Sequence, residues 1–83
     1  MNLMDRLICV SDAFAAAAGL SRDQQSYQIF HDQRRLERAF SGAADLRVQS
    51  YERAMIWLSD NWPEGRQWPV EIERPHRATG EVL

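Results

Sequence analysis

The stretch Ala15-Ala16-Ala17-Ala18-Gly19-Leu20-Ser21-Arg22-Asp23-Gln24-Gln25-Ser26-Tyr27-Gln28-Ile29-Phe30 decides how this chain is read. Alanine favours helix and leaves room for a second helix to approach. Glycine supplies the left-handed conformation that commonly ends a helix. Ser21 with Gln24 three residues on is a capping box, and Asp23 adds negative charge to the first turn. The segment therefore predicts a helix ending at Gly19, a tight turn, and a second helix from Arg22 to about Phe30. Tyr27, Ile29 and Phe30 are its packing residues. So polar a helix needs tertiary contacts to persist.

Before this stretch, Leu3, Leu7, Val10, Phe14 and Ala17 lay one apolar stripe along a first helix from about Leu3 to Ala18. On the other side His31-Asp32 is a break. Asp32 is the expected cap of a third helix, Gln33 to Phe40, with Leu36, Ala39 and Phe40 for the core. Ser41 to Ala44 reads as a loop, and Asp45 as the cap of a fourth helix reaching about Asn61. Val48, Tyr51, Met55, Leu58 and Trp62 form its stripe, widened by Ala54 and Trp57. Beyond Trp62 the periodicity stops at Pro63, Gly65, Pro69 and Pro75. Val70 and Ile72 are a short extended candidate, and His76 to Leu83 are expected to be mobile. The expected fold is all-α: about four short helices containing a helix-turn-helix in residues 1–62, then an irregular C-terminal arm in residues 63–83.

Composition narrows the function classes. Eighty-three residues make one domain at most. Ten arginines, no lysine and twelve acids leave a net charge of −2. That excludes nucleic-acid binding through bulk charge, and a polybasic membrane surface. The missing lysine removes Schiff-base and P-loop chemistry. Cys9 is the single cysteine, so neither an intrachain disulfide nor a cysteine zinc site is expected, and a reducing, cytoplasmic setting is. Ala13 to Leu20, the longest nearly apolar run, is too short for a membrane span, and Asp5 and Asp12 do not suit a secretory leader. His31 and His76 have no spacing to a nucleophile or a ligand set. The expectation is a non-enzyme without metal, cofactor or small-molecule substrate.

The link between the first two helices is the informative arrangement. Ala15, three residues, Gly19 and a capped short helix match a helix-turn-helix, which presents its second helix to the DNA major groove. The candidate DNA-facing residues are Ser21, Arg22, Gln24, Gln25 and Gln28, since glutamine pairs with adenine and arginine with guanine. Arg34, Arg35 and Arg38 are candidates for phosphates. The same spacing also occurs in ordinary αα-corners, and the same arginines could form a solvated helix face. Residues 20–40 carry a net +1 and residues 54–83 a net −2. So modest a positive patch needs a homodimer to hold double-stranded DNA.

Gly19-Leu20-Ser21, Phe30, Asp32, Arg35-Leu36 and the run Glu52 to Pro63 carry a further signal. In these, across roughly residues 5–70, the chain resembles small bacterial and prophage-encoded proteins related to helix-turn-helix regulators. The resemblance implies DNA binding through the second helix and a role in transcription regulation. Three positions depart from that pattern. Gln25 stands where an inward apolar residue is usual, Tyr27 where an arginine is, and Asp23 turns negative charge toward the phosphates.

Trp57, Trp62 and Trp68 lie within twelve residues. Trp62 is expected to clasp the small core; Trp57 is either core or a partner or dimer interface, and Trp68 either folds back over the helices or joins such an interface. Hence an alternative function: a protein-interaction module on the same scaffold, binding a protein partner through the glutamine-rich helix, the acidic arm and the tryptophans.

Overall fold

A computed structural model describes residues 2–75. The expected mobility of His76 to Leu83 lies outside the described residues. Four helices follow in order: α1 (Leu3–Ala18), α2 (Arg22–Phe30), α3 (Arg35–Phe40) and α4 (Val48–Asp60). There is no strand among the described residues, so the domain is all-α.

The helix ends follow the local chemistry. The Asn2 side chain accepts the Asp5 N–H at 2.8 Å and starts α1. Gly19, at φ 75°, ends it with its N–H on the Ala15 carbonyl. Both halves of the Ser21–Gln24 capping box are present. At the far end of α2, His31 takes the left-handed conformation at φ 59°. It is the one non-glycine with positive φ among the described residues.

Two starts differ from expectation. α3 begins at Arg35 rather than Gln33, because Asp32 does not cap it directly. Instead the Asp32 carboxylate accepts the Arg34 N–H two residues on, making a turn that precedes the helix. α4 begins at Val48 after the N-cap Arg47, so Asp45 sits in the loop and caps nothing. Val48 accordingly leaves the core stripe and is 57 % exposed.

The core is built from Leu7, Val10 and Phe14 of α1, Ile29 of α2, Leu36 of α3, and Ala54, Met55 and Leu58 of α4. Leu3 stays exposed at the start of its stripe, and Tyr27, expected to pack, is exposed instead. The chain after α4 folds back onto this core. Trp62, Trp68 and Ile72 join the buried cluster, with the Trp62 and Trp68 ring centroids 4.8 Å apart. Trp62 also lies 5.7 Å from the Phe14 ring, as a clasp should. The expected extended segment at Val70 and Ile72 is a turn. The Ile72 N–H reaches the Pro69 carbonyl at 3.2 Å, which swings Ile72 inward and Val70 outward.

Candidate nucleic-acid interface

The link Gly19-Leu20-Ser21 fixes where α2 departs from α1, and buried polar contacts hold it there. Ser11 Oγ donates to Gln25 Oε1 at 2.7 Å, while Gln25 Nε2 donates to the Ser11 and Leu20 carbonyls. Gln25 is 0 % exposed. Its expected place among the DNA-facing residues is therefore corrected: it ties α2 to α1, with its amide oxygen and nitrogen both engaged. Ser11 lies opposite it, and a buried hydroxyl needs a partner that an apolar side chain could not supply.

A second tie runs to α3. Ser26 Oγ donates to the Asp32 carbonyl and accepts the Leu36 N–H. Sequence reasoning passed over Ser26. Its one usable signal is a small hydroxyl beside Gln25, one turn from the helix end.

With Gln25 and Ser26 inward, α2 turns Ser21, Gln24, Tyr27 and Gln28 outward. Together with Leu20, Asp23 and Gln33 they line an open depression of about 580 Å³. Gln24 spends its Oε1 on the Ser21 N–H at 2.8 Å, which leaves its amide N–H₂ for donation. Gln28 is exposed. Tyr27 leans on the His31 ring, centroids 5.9 Å apart, and both reach solvent.

The arginines divide into two sets. Arg22 bridges Asp12 at 3.2 Å and Glu37 at 3.3 Å and lies over the Phe40 ring, so its charge is spent within the fold. Arg38 is held by Asp32 at 2.7 Å. The Arg34 N–H, and then the Arg38 guanidinium, hold the Asp32 carboxyl below its ordinary value. Arg34 and Arg35, by contrast, form no salt bridge among the described residues, and Arg35 acts on Asp32 only at longer range. Arg35 stacks over Phe30 at 4.9 Å and donates to Ser50 Oγ in the first turn of α4. Arg47 and Arg53, which sequence reasoning left aside, extend this set along α4. Arg47 is the exposed N-cap, and Arg53 lies 5.8 Å from the Phe30 ring on the side of α4 away from its core stripe. The first turn of α4 has neither a side-chain cap nor an acid. Its N–H groups thus add positive potential beside Arg35 and Arg47.

The two interface candidates also separate. Trp68 is 9 % exposed, its indole N–H donates to the Ile72 carbonyl at 2.8 Å, and Arg74 lies over its ring. Of its two readings the interface one is corrected and the other holds: Trp68 folds back and closes the core. Trp57 is half-buried, packed edge-on against Phe14 at 5.5 Å, with its outer edge lining a shallow groove along α4. No group of three or more potential metal ligands occurs among the described residues, and no helix there is long and apolar enough to cross a membrane. No protein-family model, curated protein or solved structure matches this chain.

Proposed function

We propose that this protein is a small helix-turn-helix DNA-binding regulator that acts inside the cell as a homodimer, without catalysis. The observation that carries this reading is the distribution of arginines. Arg34, Arg35 and Arg47 form no salt bridge among the described residues and lie at the starts of α3 and α4. On a separate part of its surface α2 exposes neutral hydrogen-bonding groups, Ser21, Gln24 and Gln28. Division of labour of this kind suits DNA: guanidinium groups and an uncapped helix start for phosphates, amides for base edges. The reading differs from the sequence expectation in its residues. Arg22, Gln25 and Arg38 serve the fold, and Arg47 joins Arg34 and Arg35 on the backbone of the duplex.

The test is duplex binding measured against salt, with an Arg34→Ala/Arg35→Ala variant beside the parent. The logarithm of affinity should fall linearly with the logarithm of salt, and the double variant should flatten that slope by about 2. Gln28→Ala should leave the slope alone and lower the preference for a selected sequence by ~1–3 kcal/mol. Absence of binding to any duplex at low salt overturns the reading. A protein-interaction module is the second reading. Ile56, 41 % exposed beside Trp57 on α4, favours it.

A further inference from the structure

The outward face of α4 carries Gln49, Glu52, Arg53, Ile56, Trp57 and Asp60 along one groove. Ile56 and the outer edge of Trp57 form its apolar middle. Arg53 lies one helical turn before this middle and Asp60 one turn after it. The face is thus self-complementary about a point between Ile56 and Trp57. We infer that α4 is a homodimer surface, pairing antiparallel with α4 of a second copy.

In that arrangement a two-fold axis crosses α4 between positions 56 and 57. Each Ile56 packs on the partner's Trp57, and each Arg53 meets the partner's Asp60, because the two positions are equidistant from the axis. An isologous contact demands this kind of symmetry. A parallel pairing sets Arg53 against Arg53, Glu52 against Glu52 and Asp60 against Asp60, so charge repulsion selects the antiparallel register. Asp60 keeps an interaction within its own chain. A carboxylate accepts from more than one donor, so this contact and the intermolecular one are compatible. Ile56 is apolar yet 41 % exposed, and Trp57 is an aromatic anchor already fixed from behind by Phe14, so little side-chain freedom is lost on pairing. α4 has 13 residues. One helix pair of that length, about 20 Å, is a small interface, so a weak dimer is expected, with the transition sought between ~10 μM and ~1 mM. The surface does not rest on the DNA reading and is measurable without DNA.

The experiment is sedimentation equilibrium of the full chain across concentration, with circular dichroism to confirm that each variant folds. The parent should show a monomer–dimer equilibrium in that range. Ile56→Glu should weaken it at least ~30-fold, and Arg53→Glu about 10-fold. The double variant Arg53→Glu/Asp60→Arg restores complementarity with the signs exchanged and should recover self-association. Because Ile56 and Arg53 are exposed, neither substitution removes core; should Ile56→Glu nevertheless unfold, the charge-exchange pair decides. A parent that stays monomeric to ~1 mM overturns the inference. So does a dimer indifferent to Ile56→Glu, or a loss in Arg53→Glu that the exchange does not repair.

Discussion

Where α1 meets α2, the buried contacts are polar: Ser11 and Gln25 share hydrogen bonds, and Ser26 ties α2 onward to the start of α3. Where the returning arm closes the core the buried contacts are aromatic, with Arg74 donating to Ser59 of α4 at their edge. Trp62 packs at a tilt against both Trp68 and Phe14, and each indole N–H is aimed at a carbonyl of the arm itself. The two regions solve different problems. Polar pairs have direction and few acceptable geometries, so they hold the short, polar α2 in one orientation. Aromatic surface is less directional and supplies area, which a domain of this size lacks. Each solution takes one expected functional residue out of solvent, Gln25 in the first case and Trp68 in the second.

Loss of an aromatic ring should have the largest effect. Trp68→Ala should cost ~3–5 kcal/mol in urea unfolding, through the cavity and the lost indole contacts. A loss below ~1 kcal/mol would mean that the arm is not part of the cooperative core. On the polar side, Gln25→Ala should cost about 2–3 kcal/mol, because Ser11 Oγ and the Leu20 carbonyl are left without their partner. The double variant Ser11→Ala/Gln25→Leu removes the hydroxyl with the amide and should recover roughly half of that loss. Under conditions where both are folded, DNA affinity should equal that of the parent, which separates the structural role of Gln25 from a reading role.

The smallest effect concerns the turn that Ser26 anchors. The folded-state pKa of Asp32 is depressed, so its contribution to stability is present above its ordinary value of 3.8. That contribution is lost as pH falls through the folded pKa, when the carboxylate takes up a proton. Thermal midpoints followed from pH 6 to about 2.5 should therefore decline more steeply in the parent than in Asp32→Asn. Equal acid slopes would show that the carboxylate does not hold the turn.

Much of the helical pattern was legible because its causes are local. Gly19 ends α1 and the Ser21–Gln24 box starts α2 in any context, since both act over one turn of backbone. The Met55–Leu58–Trp62 spacing likewise marks the inner face of α4. The start of α4 was not legible. Asp45 is a good capping residue, yet the loop instead turns the Ala43 and Ala44 N–H groups onto the Arg38 carbonyl and delays the helix to Val48. Val70 and Ile72 alternate with polar neighbours as a strand would. Their sides are set by the turn at Pro69 and by space beside Trp68, neither of which is a matter of local sequence.

The candidate site divides the same way. Residue type marked Arg22, Gln25, Arg34, Arg35 and Arg38 alike, because arginine and glutamine look the same whether they face a phosphate or a neighbouring helix. Which arginines keep an uncompensated charge depends on where acids from other elements arrive. Asp12 of α1 and Glu37 of α3 reach Arg22, while among the described residues none forms a salt bridge with Arg34 or Arg35. The ten arginines without lysine, the single cysteine and the helix boundaries set by caps and glycine were thus determined by the sequence alone. The tertiary structure decided which polar side chains turn inward and which guanidinium groups remain for a partner. Burial and ion pairing are sums over groups distant in the chain, and only the folded chain brings those groups together.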